Sequence, residues 1–275
     1  MDAAATAALV LSFASAILFL VVGRTVQMRP ASPEARHARG AFALWWYGLG
    51  GLTVVGLLLA LPARIDLTLY LVFTVLLVGV LCAALAGLVH YLIFLYTSKR
   101  QALAWVSAGY GGLFLLFLEF IRESGPSGVH AGRFGPQVTY AHQVTSGPLY
   151  VAVIVLLLVP PVAAALAYLS LYWRVREPVL KRRILIVSTS IALWFGSSLL
   201  GLGQSTDNPP AWWILTSKVI ALAAAGAILY AYTGLRPPAP RDAPPASRSP
   251  PEEQLYESDE RGRALHVRPT RPALA

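Results

Sequence analysis

Seven runs of apolar residues, each long enough to cross a bilayer as a helix, set the terms on which this chain folds. They occupy residues 3–22, 41–61, 67–96, 102–121, 149–173, 184–202 and 212–236. About twenty such residues span the hydrocarbon, and a helix is one of the few forms that satisfies its own backbone donors and acceptors there. With 56% hydrophobic and 13% charged residues among 275, the chain has too much apolar surface for a soluble domain. The expectation is an all-α, seven-transmembrane helix bundle over residues 1–236, crossing a cell inner (plasma) membrane several times.

The first run has no basic segment before it and further spans after it, so it reads as a retained helix and not as a cleaved signal. Lys and Arg fall unevenly between the runs: the first, third and fifth connections hold eleven, the second, fourth and sixth three. The positive-inside rule then places the N-terminus outside and the C-terminus in the cytoplasm. The net charge of +9 has the same explanation, which argues against nucleic acid as a partner. Residues 237–275 are Pro-rich and then of mixed charge, so a disordered cytoplasmic tail is expected. Cys82 is the single cysteine, which excludes an intrachain disulfide and a zinc-type cluster.

Aromatic residues mark the expected interfaces: Trp45, Trp46 and Tyr47 on the second run, Trp212 and Trp213 on the seventh. Two helical turns below the latter pair lies Lys218, about 9 Å down at 1.5 Å per residue. A lysine at that depth must face protein or water, and it is a functional hypothesis by default. Glu119 sits at similar depth near the outer end of the fourth run. Either the two meet in an ion pair or a shared outer cavity, or Glu119 reaches the interface while carbonyls or water hold Lys218.

Helical spacing puts Glu119 on one face with Leu115, Gly112, Gly111 and Ala108, and Lys218 with Ala221 and Ala225. Small residues let membrane helices approach closely, so both faces are expected to be packed. On the sixth run Ser190, Trp194 and Ser197 share a face, placing Trp194 and Ser197 either in contacts between helices or in the pocket of Lys218. His90, near the other end of the third run, is expected to be hydrogen-bonded between helices; no second histidine at its depth fits a haem. Pro160 and Pro161 should kink the fifth run. The connection 122–148, with His130, Arg133, Tyr140 and His142, reads as a solvated loop or a lid. No hydrolase elbow, phosphate loop or zinc-protease motif occurs, and an enzyme is not expected.

A lysine in the last of seven spans resembles the microbial rhodopsins, a likeness that implies retinal on Lys218 with Trp194 against its ring. The third run, however, has no carboxylate to serve as counterion. FLYTSKRQALAW after the third run, GPLYVAVIV at the start of the fifth and YWRVREPVLKRRILIVSTSIALWFG across the fifth and sixth resemble the seven-helix sensor region of membrane histidine kinases. That likeness covers residues 1–236 and implies stimulus reception coupled to a cytoplasmic output. Only about forty residues follow, too few for a kinase. The expectation is therefore a membrane sensor for a small ligand or a membrane state on the outer side, with Glu119, Lys218, Trp194 and Ser197 at the ligand and no cofactor. Its expected partners are the bilayer, a cytoplasmic signalling protein and a second copy of the chain. The alternatives are a retinal protein built on Lys218, and a small transporter or assembly subunit.

Overall fold

Each apolar run forms a helix, and several helices continue well past the run that predicts them. The structure, a computed structural model, describes residues 3–29, 33–60, 66–97, 102–132, 135–142, 148–202 and 210–235. The helices are α1 (Ala3–Met28), α2 (Pro33–Ala60), α3 (Leu67–Thr97), α4 (Ala102–Ser124), α5 (Pro148–Arg174), α6 (Pro178–Leu202) and α7 (Ala211–Thr233). Pro33, Pro148 and Pro178 each open a helix, where a missing N–H costs nothing and the fixed φ suits the first turn. The expected connection 24–40 shrinks accordingly, because its Arg, Ala, Glu and Met residues are good helix formers that extend the two helices flanking it. The tail 237–275, its expected disorder and Arg133 lie outside the described residues.

Six of these helices are long and apolar enough to cross a membrane, which marks a multi-pass membrane protein. The remaining one, α6, has 25 residues but carries Lys181, Arg182 and Arg183 near its start and several hydroxyl residues beyond them. Neighbours in sequence are neighbours in space, and α7 returns to pack on α1. Because α3 and α5 also touch, the ring closes without α4, which sits against those two alone among the helices it packs on substantially. The helix α5 runs on through Pro160 and Pro161, both buried.

The core lies where α1, α2, α3, α5, α6 and α7 face one another. Phe42 is its hub: its ring stacks on Tyr91 at 4.3 Å, meets Trp46 edge-on at 5.6 Å and lies 6.1 Å from Tyr168. Trp45 and Trp46 are fully buried here, which corrects their assignment to an interfacial belt. With α2 starting at Pro33, they stand about 18 Å along the helix at 1.5 Å per residue. The helices α2 and α3 approach closely; a Cβ on Gly87 would stand 2.5 Å from the Ala41 carbonyl. A smaller cluster of Val78, Cys82 and Leu113 joins α3 to α4.

The connection after α4 is not a simple loop. Residues Pro126–Gly132 (β1) and Gly135–Tyr140 (β2) pair as an antiparallel hairpin. Gly125, at φ +57°, makes the turn out of α4, and the Ala141 and His142 amides close the base on the carbonyls of Gly125 and Ser124. The hairpin packs on the ends of α2 and α3 where those two helices meet.

Candidate functional site

The serines of α6 and α7 fix how those helices meet. Ser217 Oγ donates to the Ser197 carbonyl at 2.9 Å, and Ser197 Oγ donates back to the Trp194 carbonyl at 2.6 Å. Ser217 and Ser197 are both buried, so hydroxyl groups that would be costly in lipid are satisfied inside the protein. One turn deeper on α6, the Trp194 ring meets Trp45 of α2 edge-to-face, with centroids 5.1 Å apart and planes at 84°. The bonds and the ring contact thereby join Trp194, Ser197 and Ser217 on one side of the ring, while Lys218, next in sequence to Ser217, points about 100° further round α7.

Lys218 is partly buried and makes no hydrogen bond or ion pair with any described residue. It shares its face of α7 with Ala225, which is fully buried. Among the described residues, Trp45 Nε1, Trp46 Nε1 and His90 Nδ1 are buried without a hydrogen-bond partner, so the bond between helices expected of His90 is not formed at that nitrogen. Buried polar atoms usually have partners. The described residues thus leave two donor groups unmet, the Lys218 ammonium of α7 and the Trp45 indole N–H of α2.

Glu119 behaves differently. Its carboxylate pairs with Arg122 one turn further along α4, and both side chains are well exposed, at 42% and 76%. The helix α4 packs on α3 and α5, whereas α7 packs on α1 and α6. Of the two expectations for Glu119, the meeting with Lys218 is not formed, and the carboxylate takes an exposed position instead. The packed face expected around Glu119 is corrected as well: Ala108, Gly111, Gly112 and Leu115 are exposed, Leu115 at 64%. Instead α4 turns Tyr110, Leu113, Phe114 and Phe117 toward α3, since aromatic and aliphatic side chains there fill the gap to Val78 and Cys82.

Trp45 and Ser217 were missed in the sequence as site residues. Trp45 looked interfacial only because the start of α2 was placed at the apolar run. Ser217 carried a legible signal, since it precedes Lys218 and faces the serines of α6. His37, expected in a connection, lies on α2 and is exposed. In the hairpin, His130 Nε2 is 3.2 Å from Gln137 Oε1 on the opposite strand, in a solvated position. No family model matches the chain, and neither a curated protein nor a solved structure matches it.

Proposed function

We propose that the protein is a seven-span membrane receptor whose ligand binds on the outer side, between α2, α6 and α7. The observation that carries this reading is Lys218, which has no hydrogen bond or ion pair among the described residues and follows Ser217, whose hydroxyl bonds α7 to Ser197 of α6. An ionisable residue inside a spanning helix is by default a candidate for function. Its charge and the unmet Trp45 N–H favour a small anionic or oxygen-rich ligand with an apolar body to lie on Trp194. Glu119 is left out of the pocket in this reading, because Arg122 already engages it.

In this reading the N-terminus lies outside and α7 leads into the cytoplasm, as the positive-inside rule favours, with α6 as the seventh span. Binding at Lys218 would draw α6 and α7 together and flex α5 at Pro160 and Pro161, where backbone donors are missing. That motion would reach the basic segment 174–183 and a cytoplasmic signalling partner. The resemblance to kinase sensor regions supports the same direction of signal flow.

Native mass spectrometry of protein released from its own membranes tests the site. A small adduct is expected on the wild type and absent from Lys218→Met at equal yield. An adduct retained equally by both proteins would remove Lys218 from the site. Added all-trans-retinal separates the rhodopsin-like alternative: a visible band lost in Lys218→Met would replace the receptor reading with a retinal one.

A further inference from the structure

Lys218 lies on the edge of α7 away from α6. Ser217 bonds to α6, and the next residue stands about 100° further round the helix. The helices that α7 packs on substantially are α6 and α1, so a partly buried side chain on that edge is turned to α1. The far end of α7 agrees. Tyr232, within about 40° of Lys218 around the helix axis, carries the Arg29 guanidinium over its ring at 4.9 Å, and Arg29 comes directly after α1.

The same contact sets the register of the two helices. Arg29 donates through Nη2 to the Tyr232 carbonyl, so the C-terminal ends of α1 and α7 meet and the packed helices run in one direction. Fourteen residues back from these two stand Ser15 and Lys218, level to within a turn at a common rise per residue. Ser15 is buried, and so is Ser12 one turn before it. The face of α1 toward α2 is marked by Gly23, where a Cβ would meet Tyr47, and by Leu20, which lies over Gly50. Ser15 stands about 80° round from the first and about 140° from the second, at the edge nearest α7.

Ser15 Oγ donates to the Leu11 carbonyl at 2.8 Å, a bond back along its own helix that leaves the oxygen as an acceptor. Lys218 brings a full positive charge and three N–H donors, one for that oxygen and the others for a ligand. Ser12 adds an O–H donor. One cation with a neighbouring hydroxyl balances the single charge of a carboxylate, but not the charge of about −1.5 to −2 on a phosphate monoester.

We propose that α1 is a further wall of the Lys218 site: the ammonium, aligned by Ser15 Oγ, and the Ser12 hydroxyl hold the carboxylate of a monocarboxylic ligand in the seam between α1 and α7. This rests on the receptor reading and names the chemical class of its ligand.

Dodecanoate, dodecyl phosphate and dodecanol are titrated separately against the full chain in detergent micelles, and binding is read by native mass spectrometry. Dodecanoate is expected to bind about tenfold more tightly than either other probe. Ser15→Ala and Ser12→Ala should each weaken it by about three- to tenfold, and Ser15→Thr, which keeps the hydroxyl, by less than about twofold. Lys218→Met should abolish the binding of dodecanoate. Loss in Lys218→Met with both alanine variants binding as the wild type does overturns the role of α1 and leaves the receptor reading standing. Dodecanoate bound equally by Lys218→Met and the wild type overturns both. A wild type that binds dodecyl phosphate or dodecanol at least as well as dodecanoate, or takes up none of the three, overturns the carboxylate assignment.

Discussion

Helices α2 and α4 share a vocabulary of glycines among aromatic and aliphatic residues, yet they pack in opposite ways. In α2 several small residues meet other helices: Ala41 lies under Gly87 of α3, a Cβ on Gly48 would run into Ala84 of α3, and one on Gly50 into Leu20 of α1. In α4 a Cβ on Gly109, Gly111 or Gly112 would meet nothing within 4 Å. The difference is where the large side chains sit. In α2, Phe42, Trp45, Trp46 and Leu49 fill the centre of the ring, and small residues let α1 and α3 close around them. In α4, Tyr110, Leu113, Phe114 and Phe117 take the face toward α3, and Gly109, Gly111 and Gly112 are turned outward.

The comparison is sharpened most by removing the central ring. Trp45→Ala should destabilise the bundle by about 3–5 kcal/mol, from lost burial and the cavity left behind. Reversible unfolding in mixed micelles reads it, and a loss below that of a surface substitution would mean Trp45 is no hub. Next comes Gly87→Leu, expected to cost about 1–3 kcal/mol by forcing α3 off the Ala41 carbonyl. Its signature is a lowered midpoint of unfolding. Ser217→Ala, which breaks the bond between α7 and α6, should cost about 0.6 kcal/mol, the usual size of a hydrogen bond between membrane helices. Heating in detergent with a fluorescent thiol probe on buried Cys82 can resolve it. Smallest is Gly112→Leu on α4, expected within ~0.5 kcal/mol of wild type. A large loss there would break the contrast between the two helices.

The helices were legible because runs of about twenty apolar residues have few other fates in a bilayer. Their ends were less so: hydrophobicity marks where lipid starts, whereas the helix continues as long as its backbone and residues allow. That one shift misplaced Trp45 and Trp46, and with them the centre of the core. Spacing correctly put Ser197 and Trp194 on one face of α6, since a helix fixes which residues lie together. It could not tell which small-residue face is covered by protein and which by lipid, because both solvents are apolar. Glu119 went astray for a related reason. Depth along a helix is readable from sequence, but its azimuth around the ring depends on packing, and Arg122 one turn away was the nearer partner. The hairpin escaped notice because its strands are short, rich in Gly and bounded by Pro, which blurs the alternation that marks a strand.

The hairpin has a bearing on the helix that needs it most. Its strands close on Ser124 and Gly125 at the end of α4, and Gly135 comes to rest against Ala60 of α2. The chain is led back over the junction of α2 and α3 before α5 begins, so the segment with least side-chain grip on its neighbours is leashed at one end. Lengthening that leash with a flexible insert between the strands would free α4 to swing away while leaving the ring of six intact.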